Sequence, residues 1–200
     1  MGSLIFVCEG VLRLIKQSSI SLVYLQGIYE KDILPYSFCY ELEDGTMLSL
    51  FFEEAQFSHL LGIQKVDFKR KDLHGQKCYD EIKSGRLTYQ KLKSINKTAL
   101  KTQCKDKMRY FDELPILLRN PECIEYDESS TGRKTNIKIS FALHKTYGNL
   151  GKKLIIGIDS SSDRFDYYPR TWLIENITKS SSLLMGQNVR KIISVQINRR

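Results

Sequence analysis

The chain has 200 residues, of which 42% are hydrophobic and 27% are charged, and its formal net charge is +8. This length and composition argue against a disordered chain and fit one domain, or one domain with an appended helical layer, whose core needs no disulfides. The excess positive charge is concentrated in residues 64–119, where fifteen Lys and Arg oppose seven Asp and Glu. Such a concentration attracts polyanions. A solvated, lysine-rich helical face would produce the same pattern.

The cysteines have no paired spacing, which argues against a zinc knuckle or a dithiol redox site. They are Cys8, Cys39, Cys78, Cys104 and Cys123. Five irregularly spaced cysteines predict a reduced, cytoplasmic protein. The start of the chain lacks a signal-peptide pattern, and no apolar run is long enough for a membrane helix.

The N-terminal residues predict a helical segment. Apolar residues follow helical spacing across residues 4–30, with a break near Ser18-Ser19, and Pro35 ends the segment. We therefore expect residues 1–35 to form helices that pack on the core of a single domain spanning residues 36–200.

A β-hairpin is predicted next. Residues 36–42 and 47–52 are typical of strands, and Asp44-Gly45 between them suits a two-residue turn with positive φ.

The basic half of the chain predicts short helices. Glu53-Glu54 favours a helix N-terminus, and Gly62 is typical of the residue that ends a helix. Further helices are predicted at residues 79–82 (ending at Gly85), 87–95 and 102–118, the last with a kink at Pro115.

The last third predicts strands at residues 124–126, 136–144, 153–159, 171–175 and 189–197. Apolar and polar residues alternate over 137–143, as in a half-buried antiparallel strand. The order of elements predicts an α+β fold: N-terminal helices, a β-hairpin, a helical segment and a C-terminal antiparallel sheet.

His59 is the sharpest candidate for chemistry. A neutral imidazole can take a proton from a ribose 2′-hydroxyl, and the ordinary histidine pKa suits that reaction. A core histidine bonded to a backbone carbonyl would explain the residue equally well. His74 and His144 are expected to be structural, and three scattered histidines without nearby carboxylates argue against a metal centre.

The segment Tyr167-Tyr-Pro-Arg-Thr-Trp172 is the second candidate. Arg170 can clamp a phosphate with two hydrogen bonds, and a tyrosine such as Tyr168 can stack on a base. The alternative is a rigid strand start with Arg170 in a surface ion pair. The lysines and hydroxyl of residues 91–97 could contact phosphates, but alone they are a weak signal.

Five segments, taken in order, resemble a known family. They are ELEDGTMLSLFF, QFSHLLGIQK, YDEIKSGRLTYQKLKS, CKDKMRYFDELPILL and YYPRTWL. Over roughly residues 36–175 the chain is similar to the phage and mobile-element branch of the barnase–EndoU–colicin–RelE-like nucleases, which share the BECR fold. In that branch a histidine–glycine motif follows a strand, and an aromatic-Pro-Arg-Ser/Thr motif comes late.

The resemblance implies metal-independent RNA cleavage by attack of a 2′-hydroxyl on the adjacent phosphate, without a cofactor. It makes His59 the general base or acid, while Arg170 stabilises the phosphorane and Thr171 bonds a phosphate oxygen. The residues that it implies for holding the RNA backbone are Lys65, Lys93, Ser94 and Arg109. Ser58 and Gln64 depart from the residues usual in that branch, and Gln64 removes one group that could transfer a proton.

Two classes of function remain open. The first is a ribonuclease toxin or effector of a phage or mobile element, acting on RNA in a bacterial cytoplasm and neutralised by an acidic immunity partner. The second is a non-catalytic module on the same scaffold that binds nucleic acid or a host protein.

Overall fold

The computed structural model describes residues 20–131, 137–160, 166–178 and 183–200. The predicted helical break at Ser18-Ser19 lies outside these residues, as do Cys8 and Asn136. The α-helices are α1 (Leu22–Asp32), α2 (Phe57–Leu61), α3 (Gly75–Lys83), α4 (Tyr89–Ile95), α5 (Lys97–Ala99), α6 (Lys105–Arg109) and α7 (Leu114–Arg119). The strands are β1 (Tyr36–Leu42), β2 (Met47–Phe51), β3 (Glu122–Glu125), β4 (Phe141–Tyr147), β5 (Lys152–Ser160), β6 (Asp166–Asn176), β7 (Asn188–Arg190) and β8 (Ile192–Arg199).

Local sequence accounts for the start of α1 and for the hairpin. The hydroxyl of Ser21 caps α1 by accepting from the Tyr24 N–H. In the hairpin, Asp44 accepts from the Thr46 N–H, and Gly45 has a φ of 85° that favours glycine. The predicted helix and hairpin are confirmed where the structure describes them.

All eight strands form one sheet in the order β7-β3-β4-β5-β6-β2-β1-β8. Every pairing is antiparallel except that of β2 with β6, where Ser49 lies opposite Asp166 and Leu50 opposite Tyr167. The predicted α+β class is confirmed. The hairpin, however, is part of the same sheet as the C-terminal strands, and its parallel contact with β6 makes the sheet mixed.

The sheet curls until its two end strands meet. β7 and β8 are separated only by Lys191 in the sequence, yet they occupy opposite ends of the strand order. The Glu43 N–H donates to the Lys191 carbonyl (2.9 Å), and the Arg190 guanidinium contacts both Asp44 and Glu125. These contacts connect the β1–β2 turn to β3 across the closure.

The helices cover one face of the sheet, and an aromatic cluster fills the space between them. Tyr29 of α1, Phe57 of α2 and Phe111 are fully buried, with ring centroids 5.1 Å apart for Tyr29–Phe57 and 5.5 Å apart for Phe57–Phe111. Burying one such ring contributes about 1.5–3 kcal/mol. The cluster holds α2 against the sheet next to β6.

A smaller core lies on the other face, over β3, β4 and β5. It contains Ile124, Ile139, Ala142, Ile155 and Leu183. Because β4 is covered on both faces, its residues Phe141 to His144 are all buried rather than alternating as predicted. β4 also starts at Phe141, later than the predicted strand.

The predicted helix over residues 102–118 is broken into shorter pieces. A π-helical turn (Leu100–Cys104), α6, a 3₁₀ turn and α7 follow one another. The indole N–H of Trp172 donates to the carbonyl of Lys107 in α6 (3.1 Å). In a continuous helix this carbonyl would instead accept from the backbone N–H of residue 111. Pro115 lies in the first turn of α7, where its missing N–H costs nothing, so it does not kink a longer helix.

Two C-terminal predictions also differ in extent. The predicted strand over 189–197 is divided into β7 and β8, and β6 is longer than the predicted 171–175. No helix in the described part of the chain is long and apolar enough to cross a membrane. Cys39, Cys78, Cys104 and Cys123 are free thiols.

Candidate active site

A cavity of about 330 Å³ lies where α2, α6 and β6 meet. Its volume is at the small end of the range for ligand sites, roughly 300–1,000 Å³. It is lined by His59, Gln64, Lys65, Lys107, Ile137, Lys138, Arg170 and Thr171.

The short helix α2 places His59 at this cavity. Its apolar residues Phe57, Leu60 and Leu61 are buried in the core, whereas His59 lies on the exposed side. Gly62 ends the helix with a φ of 74°. The chain then turns back in a 3₁₀ turn (Ile63–Lys65), which brings Gln64 beside the imidazole.

Both ring nitrogens of His59 are hydrogen-bonded within the protein. Nε2 lies 2.6 Å from the carbonyl oxygen of Arg170, which can only accept, so Nε2 carries the proton. The Gln64 side-chain amide nitrogen lies 2.6 Å from Nδ1 and donates to it. With its proton on Nε2, the imidazole is neutral, and Gln64 is the partner of the Nδ1 lone pair among the residues described.

The surroundings keep the ring neutral. Neighbouring protein atoms desolvate the imidazole and so lower the pKa of His59, although solvent reaches part of the residue. The hydrogen bond to Arg170 raises this pKa, while the positive charges of Lys107, Arg170 and Lys65 lower it. The net shift is downward, so the neutral form prevails at pH 7.

A β-bulge accounts for the position of Arg170. Gly157 of β5 lies opposite Thr171 and Ile158 lies opposite Pro169, so Arg170 is an extra residue without a partner in β5. Pro169 has no N–H to contribute to a strand ladder, which suits such a position. The bulge leaves the Arg170 carbonyl available to His59.

The guanidinium of Arg170 is held from two sides but stays accessible. It lies over the Tyr168 ring, 5.6 Å from the centroid, and its Nε is 3.9 Å from a carboxylate oxygen of Asp159. Asp159 also accepts from the Ser140 hydroxyl (2.7 Å). The Arg170 side chain is 44% exposed, so it can still bind a ligand.

Close packing against Gly157 brings another cation to the cavity. A Cβ at Gly157 would lie 2.8 Å from Ile139 Cγ2 and 2.9 Å from Thr171 Cγ2. Only glycine lets residues 137–140 approach β5 this closely. That approach places Lys138, the neighbour of Ile139, at the cavity rim.

Lys107 is the most perturbed cation of the site. It is partly buried, and desolvation, followed by repulsion from Lys65, lowers its pKa from the ordinary 10.5 to about 8, against a small opposing effect of Cys104. No carboxylate among the described residues forms an ion pair with it.

The cavity thus brings together four of the predicted site residues: His59, Arg170, Thr171 and Lys65. Tyr168 supports the Arg170 guanidinium beside the cavity rather than lining it.

Three further predicted residues, like Tyr168, do not line the cavity. Lys93 and Ser94 lie on α4, where the Ser94 hydroxyl donates to the Lys91 carbonyl (2.8 Å). Arg109 lies at the end of α6.

Gln64, Lys107 and Lys138 line the cavity, but the sequence had not suggested a binding role for them. Lys107 lies in the same quoted segment as Arg109, two residues earlier. Helical spacing alone does not show which of the two side chains lines the cavity. The orientation of α6 depends on its contact with Trp172, which lies in β6, far away in the sequence.

The other two histidines are away from the cavity lining. His144 is buried in β4, its Nδ1 is 3.9 Å from a Glu122 carboxylate oxygen, and burial lowers its pKa. His74 precedes α3. Both positions agree with the structural roles expected of them.

The chemistry of the lining suits an anion. Four cationic side chains, an imidazole and a hydroxyl surround the cavity, and no carboxylate is among the lining residues that the structure describes. Within the described ranges, no group of three or more His, Cys, Asp or Glu could hold a metal ion. A phosphate diester would find both charge complementarity and a proton-transfer group here.

In a comparison with protein families, the model described as phage-Barnase-EndoU-ColicinE5/D-RelE like nuclease 4 matches residues 26–197. These residues include every described residue that lines the cavity. No curated protein and no solved structure matches the chain.

Proposed function

Because the chain belongs to the phage-Barnase-EndoU-ColicinE5/D-RelE like nuclease 4 family, we propose that it is an endoribonuclease that needs no metal ion. A ribose 2′-hydroxyl attacks the adjacent phosphorus, leaving a 2′,3′-cyclic phosphate and a 5′-hydroxyl. The observation that carries this proposal is the convergence of His59 with Lys65, Lys107 and Arg170 around one cavity. Those cations supply the positive charge that a metal ion would otherwise bring to the phosphate.

Each lining group has a role in the proposal. Arg170 binds the non-bridging phosphate oxygens and stabilises the charge that develops in the transition state. Thr171 donates to a phosphate oxygen from the same strand. Lys65 and Lys138, both exposed at the rim, attract the RNA backbone.

His59 is the general base of the proposed reaction. Its neutral form is the one that can accept the 2′-hydroxyl proton, and its lone pair is on Nδ1. The substrate hydroxyl must therefore take the place of the Gln64 amide on binding. Hydrogen bonds of free active sites commonly rearrange in this way when substrate binds.

We further propose a biological setting. The family is described as one of phage nucleases, which supports an effector encoded by a phage or mobile element and acting on RNA in the cytoplasm of a bacterial host. An acidic immunity protein would bind the basic rim and block the cavity.

The deciding experiment is cleavage by purified protein. Transfer RNA, ribosomal RNA and messenger RNA are incubated with the protein in EDTA or in Mg²⁺, and the new ends are identified chemically. We expect cleavage in both buffers, with cyclic phosphate ends. Intact RNA in both, or cleavage that EDTA abolishes, would contradict the proposal.

One observation favours a second function, a non-catalytic RNA-binding module. The hydrogen bond of His59 to a backbone carbonyl is the contact expected of a structural histidine. This alternative predicts RNA binding that weakens steeply with salt and that His59→Gln leaves unchanged, with no cleavage by the parent protein. Strong binding without any cleaved product would favour it over the nuclease.

A further inference from the structure

Resting on the proposed ribonuclease function, we propose that Lys107 is the general acid of the reaction and protonates the departing 5′-oxygen of RNA. The base and the acid would then come from different elements, His59 from α2 and Lys107 from α6.

The position of Lys107 relative to β6 is fixed through its backbone. Its carbonyl accepts from the Trp172 indole N–H at 3.1 Å, and Trp172 is fully buried. Trp172 directly follows Thr171, so the anchor is adjacent to the phosphate-binding residues of the proposal. The side chain of Lys107 extends from this anchor into the cavity shared with His59 and Arg170.

The electrostatic surroundings of Lys107 favour proton release. The charged and titratable groups around it are His59 of α2, Lys65 of the following 3₁₀ turn, Cys104 of the π-helical turn, Arg170 of β6 and Lys138 of residues 137–140. Burial and Lys65 together hold the pKa of Lys107 at about 8. An ammonium group with a pKa close to the working pH is a much better proton donor than an ordinary lysine.

The protonation states of the two groups are complementary at pH 7. His59 is neutral and can accept a proton, whereas Lys107 is still mostly protonated and can donate one. Environments that set two titratable groups in opposite roles are the usual basis of acid–base assignment.

The proposed step balances as follows. The 2′-oxygen forms a bond to phosphorus and loses its proton to Nδ1 of His59. The bond from phosphorus to the 5′-oxygen breaks, and that oxygen takes a proton from the Lys107 ammonium. The products are a 2′,3′-cyclic phosphate, a free 5′-hydroxyl, an imidazolium and a neutral amine, and exchange with water restores both side chains.

Two substrates with different leaving groups test this role. One is a set of dinucleoside monophosphates, whose leaving alkoxide needs a proton. The other is the matching set of nucleoside 3′-(p-nitrophenyl phosphates), whose leaving phenolate does not. Removing a general acid should therefore slow only the first.

For Lys107→Ala we expect at least about a 100-fold lower rate on the dinucleotides and less than about a 10-fold change on the aryl esters. Lys107→Arg keeps the charge but holds its proton too tightly, so it should show the same pattern. The loss of rate above about pH 8 should be seen with the parent protein on dinucleotides only. Lys101→Ala, on an exposed neighbour, should match the parent on both substrates.

The outcomes separate this inference from the function on which it rests. A parent protein that cleaves neither these two substrates nor RNA overturns the ribonuclease proposal and the acid role with it. An active parent whose Lys107→Ala variant is unchanged, or is slowed equally on both substrates, overturns the acid role alone. Circular dichroism and thermal unfolding of each variant exclude loss of the fold as the cause.

Discussion

His59 and Arg170 are joined through the backbone, not through their side chains: the imidazole Nε2–H donates to the Arg170 carbonyl at 2.6 Å. The β-bulge at Arg170 leaves this carbonyl free, so one irregularity in β6 both orients the ring and sends a guanidinium into the cavity. The ring and the guanidinium can therefore be changed one at a time.

His59→Gln separates proton transfer from ring positioning. A glutamine amide can still donate to the Arg170 carbonyl from nearly the place of Nε2, but it cannot accept a proton. We expect RNA cleavage to fall by about 10²–10⁴-fold with the thermal midpoint almost unchanged. Cleavage by this variant at the parental rate would show that His59 takes no part in proton transfer.

Gln64→Glu should raise the pKa of His59. The introduced carboxylate would accept from Nδ1–H and so favour the imidazolium, opposing the desolvation that lowers this pKa in the parent. Because a general base must be unprotonated, the acidic limb of the cleavage profile should move to higher pH. NMR titration of the imidazole checks the shift directly, and Gln64→Met, which brings no charge, should leave the pKa low.

Arg170→Ala should reduce cleavage by about 10²–10³-fold. It removes the guanidinium but retains the carbonyl that positions His59. The slope of log affinity against log salt should also become shallower, by the amount expected for the loss of about one phosphate contact. Lys93→Ala is the matched control, because Lys93 does not line the cavity. An equal effect of Lys93→Ala would mean that RNA also contacts α4.

Lys107→Met should make the protein more stable while inactivating it. The pKa of Lys107 is lowered in the folded state, so the unfolded chain binds more protons between about pH 8 and 10.5, and stability rises with pH across that window. At pH 7 the substitution should add about 1–3 kcal/mol to the free energy of unfolding. Urea unfolding should show this difference at pH 7 and a smaller one at pH 10. A less stable variant at pH 7 would contradict the unfavourable environment assigned to Lys107.

Gly157→Ala should disturb the cavity by displacing residues that pack against Gly157. The added methyl group would meet Ile139 and Thr171 at 2.8–2.9 Å, and overpacking of this kind costs about 1–3 kcal/mol. We expect lower stability and slower cleavage, since Thr171 and the segment bearing Lys138 must shift. Gly148→Ala is the control, because nothing lies within 4 Å of the added methyl group there. Equal effects of the two substitutions would argue against the close approach at Gly157.

Local patterns predicted the elements of this fold well, because their causes are local. Asp44-Gly45 defines the hairpin turn, and Gly62 ends the helix that bears His59. The family resemblance implied that His59 and Arg170 would act together; both line the cavity, and their roles stay a prediction.

What sequence spacing did not reveal depends on contacts between distant segments. The parallel pairing of β2 with β6 leaves no periodic signature in either strand. The break between α6 and α7 reflects the indole of Trp172, which occupies the Lys107 carbonyl, and this same contact places Lys107 rather than Arg109 in the cavity.

Proteolytic cleavage just before Asn188 would disrupt the sheet at both of its ends. Loss of the segment after this cleavage would remove β7 from β3 and β8 from β1. The backbone amides of β3 and β1 on those edges would then be unpaired. Arg190 would depart with the segment, leaving Asp44 and Glu125 without their shared counter-ion. The carboxyl-terminal segment therefore joins the two ends of the sheet, and its removal would open the closure without any change in the residues of the cavity.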